Sequence, residues 1–405
     1  MNISVNNISI ILIYALPYIS FGIGDTSPLL FAYIFFVSTL RLITGDFRPN
    51  TYDYLWAGVT IFLSATTLMG GNSEIAIRIF TYGFTIVFTL NLFKNLNLGR
   101  AAECFKKIRI FYLIVAAIQA IVGLDAYSSI ISPLMNIRYA DGRGFTSVGT
   151  EPTTFAILYF LFAISNFQIK EALNHPNSKH AFIFDLILAF SITLSSSLVF
   201  YITIILILTY LNKRNFISTM LGTLLISAFL FFVILYFPDT RLSSGIIHIY
   251  NSRNDLSDFN ADSLLILDES IRDRITQPFL SIYLSINNYL VPQDPSDAIN
   301  AIGNSSSAFS YLVSDEYSRR TFNTGLGELV VMYGIFALYP LSKIWKIKLL
   351  SYPTFLAIGV IYFFSIPFGH PTFWSCVTIC LICRQLTELQ STTILKKNHI
   401  PIKMS

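Results

Sequence analysis

Apolar runs of similar length, parted by short polar connections, dominate this chain. They fall near residues 8–24, 28–44, 54–70, 75–93, 108–124, 152–169, 181–195, 197–211, 216–236, 326–342, 352–366 and 371–386. Each approaches the roughly 20 apolar residues that carry a helix across a bilayer. Continuous runs such as LVFYITIILILTYL cannot face a polar lumen at every second residue, which excludes a membrane barrel. Helices then satisfy the backbone in lipid. The expected fold is an all-α polytopic membrane protein of about twelve transmembrane helices. The first run lacks a basic n-region and a small-residue cleavage site, so it reads as a retained span.

Two connections are long. Residues 125–151 form one; the other runs from 237 to 325 and mixes charge with apolar residues at helical spacing (Leu264, Leu265, Leu267, Ile271, Ile275, Phe279). That spacing suggests amphipathic helices across the mouth of the bundle. The chain thus divides into N-terminal membrane helices (1–236), a large outer loop (237–325), and C-terminal membrane helices with a tail (326–405).

Charge orients these spans. Lys94, Arg100, Lys106, Lys107 and Arg109 mark a cytoplasmic loop by the positive-inside rule, which places both termini in the cytoplasm. The stretch 181–211 is a fork: it is one overlong helix, or two short ones broken at Ser195, Ser196 and Ser197. One helix sends Lys343, Lys346, Lys348, Lys396, Lys397 and Lys403 outside, against the charge bias; two keep them inside, and two are expected. All twelve lysines then lie on the cytoplasmic side. The outer side carries Arg78, Arg138, Arg143, Arg241, Arg253, Arg272, Arg274, Arg319 and Arg320 without a lysine. Arginine is the planar, bidentate partner of phosphate oxygens, so this face reads as one that holds a phosphate or pyrophosphate.

Composition agrees with lipid as the solvent: the chain is 54% hydrophobic and 12% charged, with a mean hydropathy of +0.61. The net charge of +4 follows from basic cytoplasmic loops and does not point to nucleic acid. Cys104 lies in a basic loop, and Cys376, Cys380 and Cys383 lie on the last span, so no outer disulfide framework is implied. The Cys380-x-x-Cys383 spacing in an apolar helix reads as packing rather than as a zinc set. No Walker loop, dinucleotide fingerprint or Asp-x-Asp pair is present. An outward site meets no nucleotide donor, so its donor arrives already activated in the membrane.

Candidate chemistry concentrates in RYADGRGFTSVGTEPTTF, which holds Arg138, Asp141, Arg143 and Glu151. Glycines 142, 144 and 149 permit close backbone approach. Pro152 opens a helix behind Glu151, whose carboxylate is then stabilised and oriented by the helix N-terminus; a simple capping role competes with a functional one. Gly369-His370-Pro371, between the last two spans, faces the same mouth.

These features resemble the Wzy-type O-antigen polymerases within the O-antigen ligase and polymerase superfamily. Members carry, in the first outer loop, an arginine with ten residues between it and a glycine, as at Arg138 and Gly149, and Glu151-Pro152 follows as in many relatives. Ser270-Ile271-Arg272 and Asn323-Thr324-Gly325-Leu326-Gly327-Glu328, then Gly334, resemble the second loop and the start of the next helix. No second-loop arginine repeats the arginine-to-glycine spacing. Where related ligases place a histidine, eleven residues before a glycine, Asn323 precedes Gly334, which favours polymerase over ligase.

The resemblance implies a GT-C-like, metal-independent inverting glycosyltransferase of the bacterial inner membrane that needs no cofactor. Its donor and acceptor would be undecaprenyl-pyrophosphate-linked oligosaccharides, its setting the lipid bilayer, and a chain-length regulator protein a partner. It assigns catalytic roles to Arg138, Arg143, Glu151, Arg272 and His370. Substrate-binding roles go to Gly149, Arg253, Arg274, Arg319, Arg320 and Asn323. The alternative class is a lipid-linked oligosaccharide flippase, which buries charge along a path. For that path the candidates are Arg41, Arg78 and Asp185, expected near helix ends with room to snorkel.

Overall fold

The computed structural model describes residues 5–19, 28–47, 49–93, 95–135, 152–192, 281–294, 325–348, 352–364 and 366–398, and among them every regular element is helical. In chain order these are α1 (Val5–Ala15), α2 (Pro28–Ile43), α3 (Thr51–Met69), α4 (Ser73–Leu92), α5 (Leu98–Val122) and α6 (Leu124–Ile131). Then follow α7 (Pro152–Ala172), α8 (Ser178–Ile192), α9 (Gly325–Tyr333), α10 (Leu338–Lys348), α11 (Tyr352–Phe364) and α12 (Pro371–Asn398). A 3-10 turn at Gly334–Ala337 joins α9 to α10. The spans expected at 197–211 and 216–236, and the serine break at 195–197, lie outside the described residues.

Two helical stretches are long and apolar enough to cross a membrane, Ser73–Leu92 and Gly325–Ile347, the second running through the 3-10 turn. α5 departs from expectation. The basic residues Arg100, Lys106 and Lys107, read as a loop, belong to its first turns. Asn97 caps that helix by accepting from the Arg100 amide at 3.1 Å. Ala101, Cys104, Phe105 and Ile108 then fall on one buried stripe, which leaves the charges on the other face.

α12 packs on α7, α4, α10 and α1, and α7 on α12, α8 and α5, so these two helices form the centre. α7 is buried nearly without interruption from Phe155 to Ile169, as a helix apolar on all sides must be. The periphery is apolar as well. Ile110, Ile114, Ile118 and Ile121 form an exposed stripe along α5, and Leu55, Phe62 and Met69 another on α3. Inside lie Asp53, Thr85, Ser165, Asn166, Asp185 and Glu328. A water-soluble bundle distributes these residue types the other way.

Polar contacts fix which helix ends share a side. Asn50 and Asp53 form a reciprocal capping box at the start of α3, at 3.0 and 2.9 Å. Asp53 also accepts from Asn91, at the end of α4, at 3.3 Å and from the Tyr339 hydroxyl of α10. Near that end Arg41 donates to Asn6 and to the Leu92 carbonyl. At the opposite end Arg78 of α4 meets Glu328 of α9. Thus α4 and α9 run in parallel, and the Lys343 ammonium, over the Tyr339 ring at 4.9 Å, sits at the Asp53 end. Lys343 therefore lies at the same end of the packed helices as the C-terminus of α4, while the residues of the fork beyond 192 lie outside the described residues.

Candidate functional site at the Arg78 end

Of the residues given catalytic or substrate-binding roles from sequence, His370 is the one among the described residues. Arg138, Arg143, Gly149, Glu151, Arg253, Arg272, Arg274, Arg319, Arg320 and Asn323 lie outside them.

His370 closes the connection 366–370 and starts α12, its amide donating to the Pro367 carbonyl at 3.1 Å and its carbonyl accepting from Trp374 at 3.2 Å. The imidazole is buried, with the Tyr18 ring tilted against it at 5.7 Å. Nδ1 has no hydrogen-bond partner among the described residues. Burial pushes its pKa down to about 4, because the cation loses its hydration and gains no partner. At neutral pH the ring is uncharged, with one nitrogen carrying a proton and the other a lone pair.

The neighbours of that connection build the rest of the site. Arg78, in the second turn of α4, is held by the Glu328 carboxylate from the first turn of α9; their side chains are 22% and 0% exposed. The Arg78 guanidinium also lies over the Tyr82 ring at 5.6 Å, a favourable cation–π placement. Tyr82 stacks on Phe31 at 5.3 Å and meets Phe368 edge-on at 5.2 Å. The Phe368 amide donates toward Glu328, while Glu328 Oε2 has no partner among the described residues. Gly369 is needed for this fit: a Cβ there would lie 2.3 Å from the Tyr82 Cβ. The Phe368 carbonyl in turn accepts from Trp374 Nε1 at 2.5 Å and from the Tyr362 hydroxyl at 3.3 Å.

One end of the bundle therefore gathers a guanidinium, a buried carboxylate with a spare acceptor oxygen, and a neutral imidazole. They come from α4, α9 and the connection before α12. The arrangement can bind hydroxyl groups through Glu328 Oε2, an acceptor, and through His370 Nδ1, which accepts or donates according to its tautomer. Arg78 is flanked by Glu328 and by the more distant Glu74, so its positive charge is largely compensated.

Sequence reading left Glu328 without a role and Arg78 as one outer arginine among several. The signal for their pairing was present: a carboxylate inside an apolar span needs a cationic partner at similar depth. Of Arg41, Arg78 and Asp185, expected near helix ends, the two arginines lie there and Asp185 does not: it sits in the middle of α8. Arg41 and Arg78 are tied to partners as described. Asp185 is fully buried and accepts from Arg109 at 2.5 Å and Asn166 at 3.1 Å. Desolvated charges are cheaper to pair within the protein than to leave exposed to lipid. The cysteines of the last span, Cys376, Cys380 and Cys383, are buried thiols.

No family model, curated protein or solved structure matches this chain.

Proposed function

We propose that the chain is a multi-pass protein of a bacterial inner membrane, with cytoplasmic termini, that acts as a Wzy-type O-antigen polymerase. It would join undecaprenyl-pyrophosphate-linked oligosaccharide repeats at the periplasmic face. The observation that carries this reading is convergence. His370, Arg78 and the Gly325–Glu328 turn, each assigned to the outer side or its helix ends from sequence, meet at one end of a bundle whose periphery is apolar. Chemistry needs a site at one face, whereas transport needs a path.

In the proposed reaction an acceptor hydroxyl oxygen attacks the anomeric carbon of the donor. The bond from that carbon to the pyrophosphate oxygen breaks and the configuration inverts. The hydroxyl proton passes to a base, for which neutral His370 and Glu151 are the candidates. Charge developing on the pyrophosphate is met by Arg138, Arg143 and Arg272. Arg253, Arg274, Arg319 and Arg320, with Gly149 and Asn323, complete the binding surface. No metal or cofactor takes part in this scheme.

A deletion strain tests it. Loss of the polymerase leaves core plus a single repeat, because export and transfer of one unit continue, and purified protein should lengthen lipid-linked repeats without nucleotide sugar or metal. A strain with no outer single-repeat product points to the second reading, a lipid-linked oligosaccharide flippase. That reading is favoured by two buried pairs at different depths, Arg78–Glu328 near the starts of α4 and α9 and Arg109–Asp185 at the middle of α5 and α8.

A further inference from the structure

Residues 281–294 carry their polarity inside out. Ser281 and Ser285, one helical turn apart, are buried, while Tyr283, Ile286, Tyr289 and Val291 are exposed, Tyr289 to 90%. Ser285 Oγ has no partner among the described residues. Asn287 is also exposed, and Asp294 is the one charge in the segment. In water this arrangement hides hydroxyls and displays apolar surface, the reverse of what an aqueous loop gains from folding.

The segment is nonetheless firmly seated. The Leu290 carbonyl accepts from the Ile335 amide at 2.8 Å, and the Gln293 amide donates to the Val331 carbonyl at 2.9 Å. Asn72, the cap of α4, donates to Asp294 at 3.0 Å. Gly334 has φ +52°, and a Cβ there would lie 2.1 Å from the Leu290 oxygen, an approach of backbone to backbone that needs glycine. Tyr289 and Leu290 hold φ of 55° and 58°, which side-chain-bearing residues keep only where the surroundings enforce it. These bonds engage the backbone where α9 gives way to the 3-10 turn, as a broken membrane helix requires.

Val331 and Ile335 lie six and ten residues beyond Gly325, about 9–15 Å along the helix axis. Ile335, Phe336 and Leu338 are themselves exposed, so apolar surface passes from the segment onto a stretch long and apolar enough to cross a membrane. We propose that residues 281–294 form a re-entrant arm whose exposed face contacts bilayer lipid beside this interrupted span. Its tyrosines occupy the interfacial layer, where an aromatic body and a polar tip are both solvated. The inference rests on the multi-pass reading and is independent of polymerase activity.

Single cysteines at Tyr289 and Val291, in the full chain, carry an environment-sensitive fluorophore after reconstitution into phosphatidylcholine vesicles; wild type, whose four cysteines are buried, sets the background. Lipids spin-labelled near the headgroup should quench both sites, and aqueous iodide should not. Ile114→Cys and Phe62→Cys, on the apolar periphery, report the membrane reading, and Glu74→Cys reports the aqueous mouth. Lipid quenching at 62 and 114 but not at 289 or 291 overturns the arm and leaves the bundle in the membrane. Quenching at 289 and 291 by neither agent means that protein covers them, and also overturns the arm. No lipid quenching anywhere overturns the membrane reading itself.

Discussion

Arg78→Gln strands the Glu328 carboxylate, and Glu328→Gln strands the Arg78 guanidinium, but the two losses are unequal. Glu328 is 0% exposed, so its charge has no route to solvent; Arg78 retains 22% exposure and a long flexible stem. Removing the arginine should therefore cost about 3–5 kcal/mol, the range for an orphaned buried charge. Removing the carboxylate should cost about 1–3 kcal/mol, closer to an unmet hydrogen-bonding group. The double variant leaves two neutral amides of similar shape and should lie well above the sum of the singles, with a coupling of roughly 2–3 kcal/mol. Unfolding of the purified protein by dodecyl sulfate in mixed micelles, followed by far-ultraviolet circular dichroism, gives all four corners of the cycle. Additive losses, or a larger loss for Glu328→Gln than for Arg78→Gln, would refute the claim that the pair clamps α4 to α9.

Three further outcomes are expected. Gly334→Ala forces a Cβ toward the Leu290 carbonyl in left-handed backbone and should destabilise by about 1–3 kcal/mol; unaltered proteolytic sensitivity at 281–294 would count against the docking described. For His370 the folded pKa of about 4 lies below the ordinary imidazole value of 6.5, so the unfolded chain binds the extra proton between these values. Stability should fall as pH drops from 6.5 toward 4, by roughly 3 kcal/mol in all, and His370→Phe should flatten that part of the wild-type profile. Arg138→Lys, Arg143→Lys and Arg272→Lys should each shorten the glycan ladder at normal protein level, because an ammonium does not reproduce a bidentate fork; full-length polymer in all three would remove them from the pyrophosphate site.

Helix positions were legible in the sequence because long apolar runs alternate with short polar connections: α2, α3, α4, α7 and α11 begin within three residues of their expected starts. The start of α5 was misread because charge was taken to mark a loop, whereas its amphipathic first three turns accommodate Lys106 and Lys107 on the exposed face. The break at Gly334 was hidden, since a glycine inside an apolar run looks the same whether it packs a helix or interrupts one. Its cause is the Leu290 carbonyl, a partner 44 positions earlier by number. His370 was found by its place between Gly369 and Pro371. The Arg78–Glu328 pair was missed because a carboxylate inside an apolar run signals that a cation must meet it but not which one; the choice of partner is a property of packing.

The separation of Arg78 from Glu328, 250 residues along the chain, bears on how the protein is made. At bacterial elongation rates of about 5–20 residues per second, α4 leaves the ribosome roughly 12–50 s before its partner exists. During that interval the arginine must find headgroups, a translocation channel or a protease. The N-terminal half expressed alone should therefore be short-lived. Supplying the C-terminal half as a separate polypeptide should lengthen its survival, and a Gln at position 78 should relieve the dependence.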